Sequence, residues 1–441
     1  MSSSRSARTA PSAGSREYLP HFGVEIEIYV KLLPHYETMI KEKQRRNPRS
    51  LPEYYQTWDF SLDNRSSDSV ARLVQKKEQR ERVGRAVEAL IDGALGARNG
   101  WHCESDASLK EWQLTDPEDR EKWWGIEIIS PPTSVATNWQ QDIRTVFEAV
   151  GERFDFWTNQ CCATHVHVSP GPNKNSKYRR SELVHRAEGA YFWEEALCDL
   201  LPPERRNNRY ALPNHTVYAG EEYRAVRRNG WAPVFRKLTE LGAEDQELFL
   251  FVMKGGSNET RYLSTSFHPY KKYGTIELRR QAGSASATTV IHRVLLAVTL
   301  HVSGLRYDYM SVSRRSYPTS DELIKELHGC IKMLPTTCQR SRFINWLKWC
   351  VATYAGGYQP SEKWINLNER TLRKGGEYPT VDASSRGRPE GASRDPRSQP
   401  PAARRPPSAA SSRSASRAPP PSTSRQRLVE EAWDSTARRH P

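Results

Sequence analysis

Four short stretches of this chain share one alternating pattern, and that pattern limits the folds open to it. Gly274-Thr275-Ile276-Glu277-Leu278-Arg279 places Ile276 and Leu278 on one face of a strand, and Thr275, Glu277 and Arg279 on the other. In His21-Phe22-Gly23-Val24-Glu25-Ile26-Glu27-Ile28-Tyr29-Val30, the even-numbered apolar residues oppose Gly23, Glu25, Glu27 and Tyr29. Trp124, Ile126 and Ile128 likewise oppose Gly125 and Glu127. In Thr164-His165-Val166-His167-Val168 two imidazoles take the place of the acids. A carboxylate is costly to bury without a partner. Four half-apolar strands with charge on the opposite face therefore predict a sheet with one side under helices and the other lining a polar cleft.

The segments between these strands predict an α+β fold. Apolar periodicity predicts helices over 68–97, 138–155, 178–201, 285–306 and two within 320–354. Residues 31–67 read as polar and irregular with aromatic insertions, so 31–100 forms a largely helical or irregular insertion. The run 75–82 reads as a solvated helix face, and 202–260 as substrate-side loops. The body expected is 18–372, an antiparallel sheet with helices packed on one face. Residues 1–17 and 373–441 are Ser-, Pro-, Ala- and Arg-rich, lack core-building capacity and read as disordered.

No run of about eighteen apolar residues stands out, so no membrane span is expected. The first residues lack the apolar core of a secretory signal. Seven scattered cysteines suit reduced thiols, and the expectation is a cytoplasmic protein. The net charge of +14 is concentrated: residues 381–441 hold twelve Arg and no Lys against six acids. The body is only mildly basic, which suits phosphate-bearing ligands without demanding a polynucleotide.

Clustered carboxylates from separate strands are hard oxygen donors of the kind Mg²⁺ or Mn²⁺ takes, with substrate phosphates completing the shell. Arg279 beside Glu277 suits a transferring phosphate. Competing readings exist for each piece: a strand Glu beside an Arg is commonly a cross-strand ion pair, and a His-x-His pair is as often structural. Cys161, Cys162, His165 and His167 could be read as zinc ligands, but adjacent strand cysteines point in opposite directions. Cys162 as a nucleophile lacks an activating helix N-terminus. No Walker-type or Gly-x-Gly-x-x-Gly loop is present.

The ordered motifs Phe22-Gly23-Val24-Glu25-Ile26-Glu27, Gly125-Ile126-Glu127-Ile128-Ile129-Ser130-Pro131, Thr164-His165-Val166-His167-Val168, Arg261-Tyr262 and Gly274-Thr275-Ile276-Glu277-Leu278-Arg279 resemble those of the putative amidoligase family, within the glutamine synthetase-like carboxylate-amine ligases. The resemblance spans most of 20–310 and implies a curved antiparallel sheet whose concave face holds ATP and two Mg²⁺ ions, with Mn²⁺ as a substitute. It implies phosphorylation of a small-molecule or peptide carboxylate, then attack by an amine. Carried over, Glu25, Glu27, Glu127, His165 and Glu277 would be metal ligands. His167 and Arg261 would lie near the phosphates, Arg279 would stabilise the transferring phosphate, and Asp106 of an Asp-x-Ser turn with Ser108 would face the site. Ala163 and Ser266 depart from the family's usual Gly and Asn. The alternative from another class is an inactive amidoligase-like binding module whose Arg-rich tail recruits RNA or an acidic partner. A kinase on a related scaffold would differ only in lacking the amine.

Overall fold

The longest strand, β1 (His21–Leu32), organises the sheet because both of its edges are shared along their length. The computed structural model describes residues 19–62, 70–106, 108–109, 114–115, 120–206, 208–254, 262–335, 340–354 and 360–378. Within them the sheet runs β2 (His102–Glu104), β3 (Trp124–Ile129), β1, β6 (Thr164–Ser169), β8 (Ile276–Leu278), β7 (Thr265–Ser266). Two further strands, β4 (Thr133–Ser134) and β5 (Phe154–Trp157), pair with the two ends of β1. Every pairing is antiparallel.

Register then fixes which charges meet. Glu27 is paired with Glu127, and Glu127 with Glu104 on its other side. Glu25 is paired with His165, and His167 with Glu277. Because side chains alternate, all of these share one face of the sheet. The opposite face carries Phe22, Val24, Ile26, Ile28 and Val30 of β1, each almost wholly buried with Ile126, Ile128, Val166, Val168 and Ile276. Each such side chain contributes on the order of 1.5–3 kcal/mol by leaving water.

Helices cover that apolar face. After α1 (Pro34–Arg46), the elements α2 (Val70–Leu95) and α3 (Trp139–Gly151) place Val83, Val87, Ile91, Ile143, Val146 and Val150 in the core. Farther along lie α4 (Arg180–Phe192), α5 (Ala232–Glu244) and α6 (Gln246–Met253). α7 (Ala287–Arg306) begins where Ser286 Oγ accepts from the Thr289 N–H at 3.3 Å, an N-cap in place of a missing intrahelical partner. It is long and apolar enough by length and composition to cross a membrane, but most of it is buried within the fold as its central core helix. α8 (Ser320–Ile331), α9 (Arg340–Tyr354) and α10 (Glu362–Arg373) pack outside it. Tyr378 closes over α7, its hydroxyl 2.9 Å from His292 Nδ1.

Several local expectations are corrected. The irregular stretch after β1 contains α1, a polar helix with Pro at its start and a Lys41–Glu37 pair at 2.5 Å. Its apolar stripe is too sparse to show in the sequence, since only Ile40 is buried. The helix expected to reach 155 stops at Gly151, because Phe154-Asp155-Phe156-Trp157 pairs as β5 with β1. The 178–201 helix breaks at Trp193, and 202–260 contains α5 and α6 among shorter helical turns. On α2, Leu73 and Val74 are exposed although they belong to the expected stripe, whereas Lys76 and Gln79 of the expected solvated run are buried. Gln79 Oε1 accepts from the Asp59 N–H at 3.2 Å, a tertiary contact that no helical period encodes.

Candidate active site

The charged face of the sheet gathers acids and imidazoles of four strands, with donor atoms of each triad within 4.8 Å of one another. Glu25 is central: its Oε2 lies 3.2 Å from His165 Nδ1, and its Oε1 lies 3.0 Å from His167 Nε2. Glu277 Oε1 reaches both rings, 3.7 Å from His165 Nδ1 and 3.8 Å from His167 Nε2. Glu27 Oε1 lies 3.8 Å from His165 Nε2, while its Oε2 accepts from the Ala163 N–H at 2.6 Å. The backbone of residue 163 does this work, so an Ala serves there as well as a Gly.

The charges are unevenly compensated. Burial penalises the ionised Glu25, but the charges and hydrogen bonds of His167 and His165 outweigh it and hold its carboxyl well below the usual range. Burial alone would lower His167, yet Glu25 and Glu277 raise it. Glu127 has no such help: burial, then the charges of Glu25, Asp106, Glu27 and Glu104, push its carboxyl well up. Glu27 is raised by burial and Asp106 against the pull of His165, Arg205 and Arg279. This much negative charge from the site's own residues is what a cation would offset.

Two constellations have ligand geometry. One donor atom each from Glu25, Glu127 and His165 lie within 4.8 Å of one another, and so do one each from Glu25, His167 and Glu277. Neighbouring ligands of an octahedral ion at about 2.1 Å stand roughly 3–4 Å apart, so both sets could close on an ion with small side-chain shifts. His167 Nε2 lies 3.0 Å from Glu25 Oε1 and 3.8 Å from Glu277 Oε1, so this ring nitrogen faces both carboxylates of its triad. Its Nδ1 sits 3.1 Å from Thr275 Oγ1, which orients the ring. The donors present therefore fit Mg²⁺ or Mn²⁺. Glu27 belongs to neither triad, because Ala163 and His165 hold it to the side.

The remaining expected residues are placed as follows. Arg279 donates through Nη1 to Glu277 Oε1, and Glu277, Glu25 and Glu27 together raise its guanidinium against burial. Asp106 accepts from both the N–H and the hydroxyl of Ser108 at 2.6 Å, and its charge reaches Glu27 and Glu127. Arg261 lies outside the described residues. No cysteine contributes to either triad, and among the described residues the cysteines are free thiols.

Arg205 belongs at this site and was not singled out by sequence. It is almost wholly buried and donates through Nε to Arg280 O at 3.2 Å and through Nη2 to Arg279 O at 3.0 Å. Burial, only partly offset by the Glu27 charge, lowers it to about 10. It thus brings a second guanidinium to the Glu27 end of the face. Its surroundings in sequence, Glu204-Arg205-Arg206, carry no periodicity that marks it out. Arg280, next to Arg279, points the other way and pairs with Glu194 in the interior.

No curated protein matches the chain at a significant level. Residues 20–300 match the family model described as "putative amidoligase enzyme", which takes in every strand of the sheet. With the motif strands paired in register and their acids on one face, the chain belongs to the putative amidoligase enzyme family, a family of ligases.

Proposed function

We propose that the protein is an ATP- and Mg²⁺-dependent carboxylate–amine ligase on a glutamine synthetase-like sheet, acting through an acyl-phosphate. The single observation that supports this most is that Glu25 is common to two donor triads, one with Glu127 and His165 and one with His167 and Glu277. Two divalent ions held there would neutralise the phosphates of a nucleotide and polarise the transferring one. Metal ligands in this reading are Glu25, Glu127, His165, His167 and Glu277, with Glu27 fixing His165 from the side.

The chain's own residues have distinct tasks. Arg279, anchored through Nη1 by Glu277 and through Nε by Tyr210 O, keeps Nη2 for the transferring phosphate. His167 is held in orientation by Thr275, with Nε2 turned to Glu25 and Glu277. Arg205 adds positive charge at the Glu27 end. Asp106, half-buried beside Glu27 and Glu127, is the carboxylate placed to hold an incoming amine and take its proton. In balance, the substrate carboxylate oxygen attacks the γ-phosphorus and ADP leaves. The amine nitrogen then attacks the acyl carbon, phosphate leaves, and one proton passes to a base.

Hydroxylamine intercepts acyl-phosphates as hydroxamates. Incubating the full chain with ATP, Mg²⁺, hydroxylamine and a panel of small carboxylic acids and acidic peptides should give ADP and hydroxamate in equal amounts for one acid class. Glu277→Ala should abolish both. ADP release with no hydroxamate from any acid would contradict the acyl-phosphate route.

A further inference from the structure

The turn that carries Asp106 is tied to the sheet at both ends. Glu104, the last residue of β2, is paired with Glu127 of β3. Five residues later, Leu109 returns onto the charged face, where it is 0% exposed. There it belongs to a small apolar cluster with Tyr29, Leu114, Trp123, Trp157 and Cys162, distinct from the main core under the sheet. This cluster closes the charged face beyond Glu27 and Glu127.

Leu109 fits there because a side chain is missing. Gly125 alternates with Glu127 along β3, so it lies on the charged face, paired with Tyr29 of β1. A β-carbon at 125 would stand 2.5 Å from Leu109 Cβ, 3.2 Å from Leu109 Cδ1 and 3.3 Å from Tyr29 Cε1. Carbons in ordinary contact are about 3.5–4.0 Å apart, so no larger residue fits at 125 while Leu109 stays in place. Gly125 is not at positive φ, so space and not backbone conformation selects glycine there. Glycine inside a strand weakens it, and commonly marks such a close approach. The approaching atom is also rigid, since a β-carbon moves only with its own backbone.

The seat of Leu109 therefore places the turn, and the turn places a carboxylate. Three residues before Leu109, Asp106 accepts from both the N–H and the hydroxyl of Ser108 at 2.6 Å, so its carboxylate travels with the turn. Its charge is felt at Glu27 and at Glu127. We infer that Leu109, seated on Gly125, is a positioning residue that sets where Asp106 meets the incoming amine. This rests on the ligase reading above, in which Asp106 receives that amine. β3 is held in register with β1 along its whole length, whereas the turn is held only at its ends. A methyl added at 125 therefore displaces the turn by about 1 Å and leaves Glu127 in register.

The test follows ADP and hydroxamate from the full chain with ATP, Mg²⁺, a mixed panel of small carboxylic acids and acidic peptides, and hydroxylamine as the amine. Asp106→Asn should raise the KM for hydroxylamine about tenfold or more, the worth of a hydrogen bond to a charged group, and leave the KM for ATP unchanged. Gly125→Ala should do the same, because a misplacement of about 1 Å is enough. The two changes together should be no worse than Gly125→Ala alone, since a carboxylate already displaced has nothing further to lose. Mn²⁺ affinity of Gly125→Ala should match that of the wild type. Leu109→Ala loosens the same anchor without adding an atom, and the same cycle with Asp106→Asn decides the matter if Gly125→Ala does not fold.

Effects of the anchor variant and Asp106→Asn that simply add would overturn the inference and leave the ligase reading standing. So would weakened Mn²⁺ binding by Gly125→Ala, which would put the disturbance on β3. A folded wild type that forms neither ADP nor hydroxamate would overturn the ligase reading, and the inference with it.

Discussion

Glu27 and Glu127 stand directly opposite each other across β1 and β3, like charge paired with like charge at the middle of the sheet. Such a pair works against folding. Glu104, opposite Glu127 on its other side, adds to it.

Relief of that repulsion should be measurable. Glu127→Gln is expected to raise the melting temperature of the metal-free protein by on the order of 1–3 °C. The same change should weaken Mn²⁺ binding about tenfold or more, because one of the two triads loses one of its two anionic ligands. Differential scanning calorimetry and Mn²⁺ titration on one preparation check both. A variant that is less stable would mean that Glu127 is already paired in the fold.

Thr275→Val removes the partner of His167 Nδ1 without touching a proposed ligand. Loss of such an orienting contact is expected to weaken the metal by about 10- to 100-fold with little change in stability. Titration of Mn²⁺ followed by its paramagnetic resonance signal reads this directly, and unchanged affinity would show that the ring needs no such support.

Much of this face was legible because strand alternation is a strict period of two. The positions of Glu25, Glu27, Glu127, His165, His167 and Glu277 on a shared side followed from their apolar neighbours alone. Pairing order was not legible: nothing local says that β1 lies between β3 and β6, or that His167 meets Glu277. Arg205 was missed because it reaches the site from a short helical turn through the carbonyls of Arg279 and Arg280, a relation set by tertiary packing. Phe154 and Asp155, the first half of β5, were assigned to a helix because four residues of aromatic alternation are too short to outweigh the helical stripe before them.

The Arg280–Glu194 pair is structural. Both side chains are almost fully buried, and Arg280 Nε also donates to Ala211 O at 3.2 Å. Glu194→Ala strands the guanidinium in the interior and is expected to cost about 3–5 kcal/mol in denaturant unfolding. Replacing both partners, as Glu194→Leu with Arg280→Met, should recover most of that loss. If the single and double variants were equally unstable, packing and not charge would be the cause.

Glu188 makes stability depend on pH. It is buried on α4, Thr239 Oγ1 donates to its Oε1 at 3.2 Å, and Oε2 has no partner among the described residues. Burial raises its carboxyl from 4.5 to about 7. A raised acid favours the folded state fully below its unfolded value, and that advantage is lost as pH rises through the folded one. Wild-type stability should therefore fall between about pH 5 and pH 8 by up to about 3 kcal/mol, and Glu188→Gln should flatten this slope. A slope equally steep in the variant would assign it to another group.

The most direct test of the central claim is calorimetric titration of ATP, with and without Mg²⁺, into the full chain and into Glu277→Ala. The account predicts ATP binding that requires Mg²⁺ in the wild type and is lost in the variant, with circular dichroism unchanged. Absence of Mg²⁺-dependent binding by the folded wild type, or binding that survives in Glu277→Ala, would contradict a nucleotide and metal site on the acidic face of the sheet.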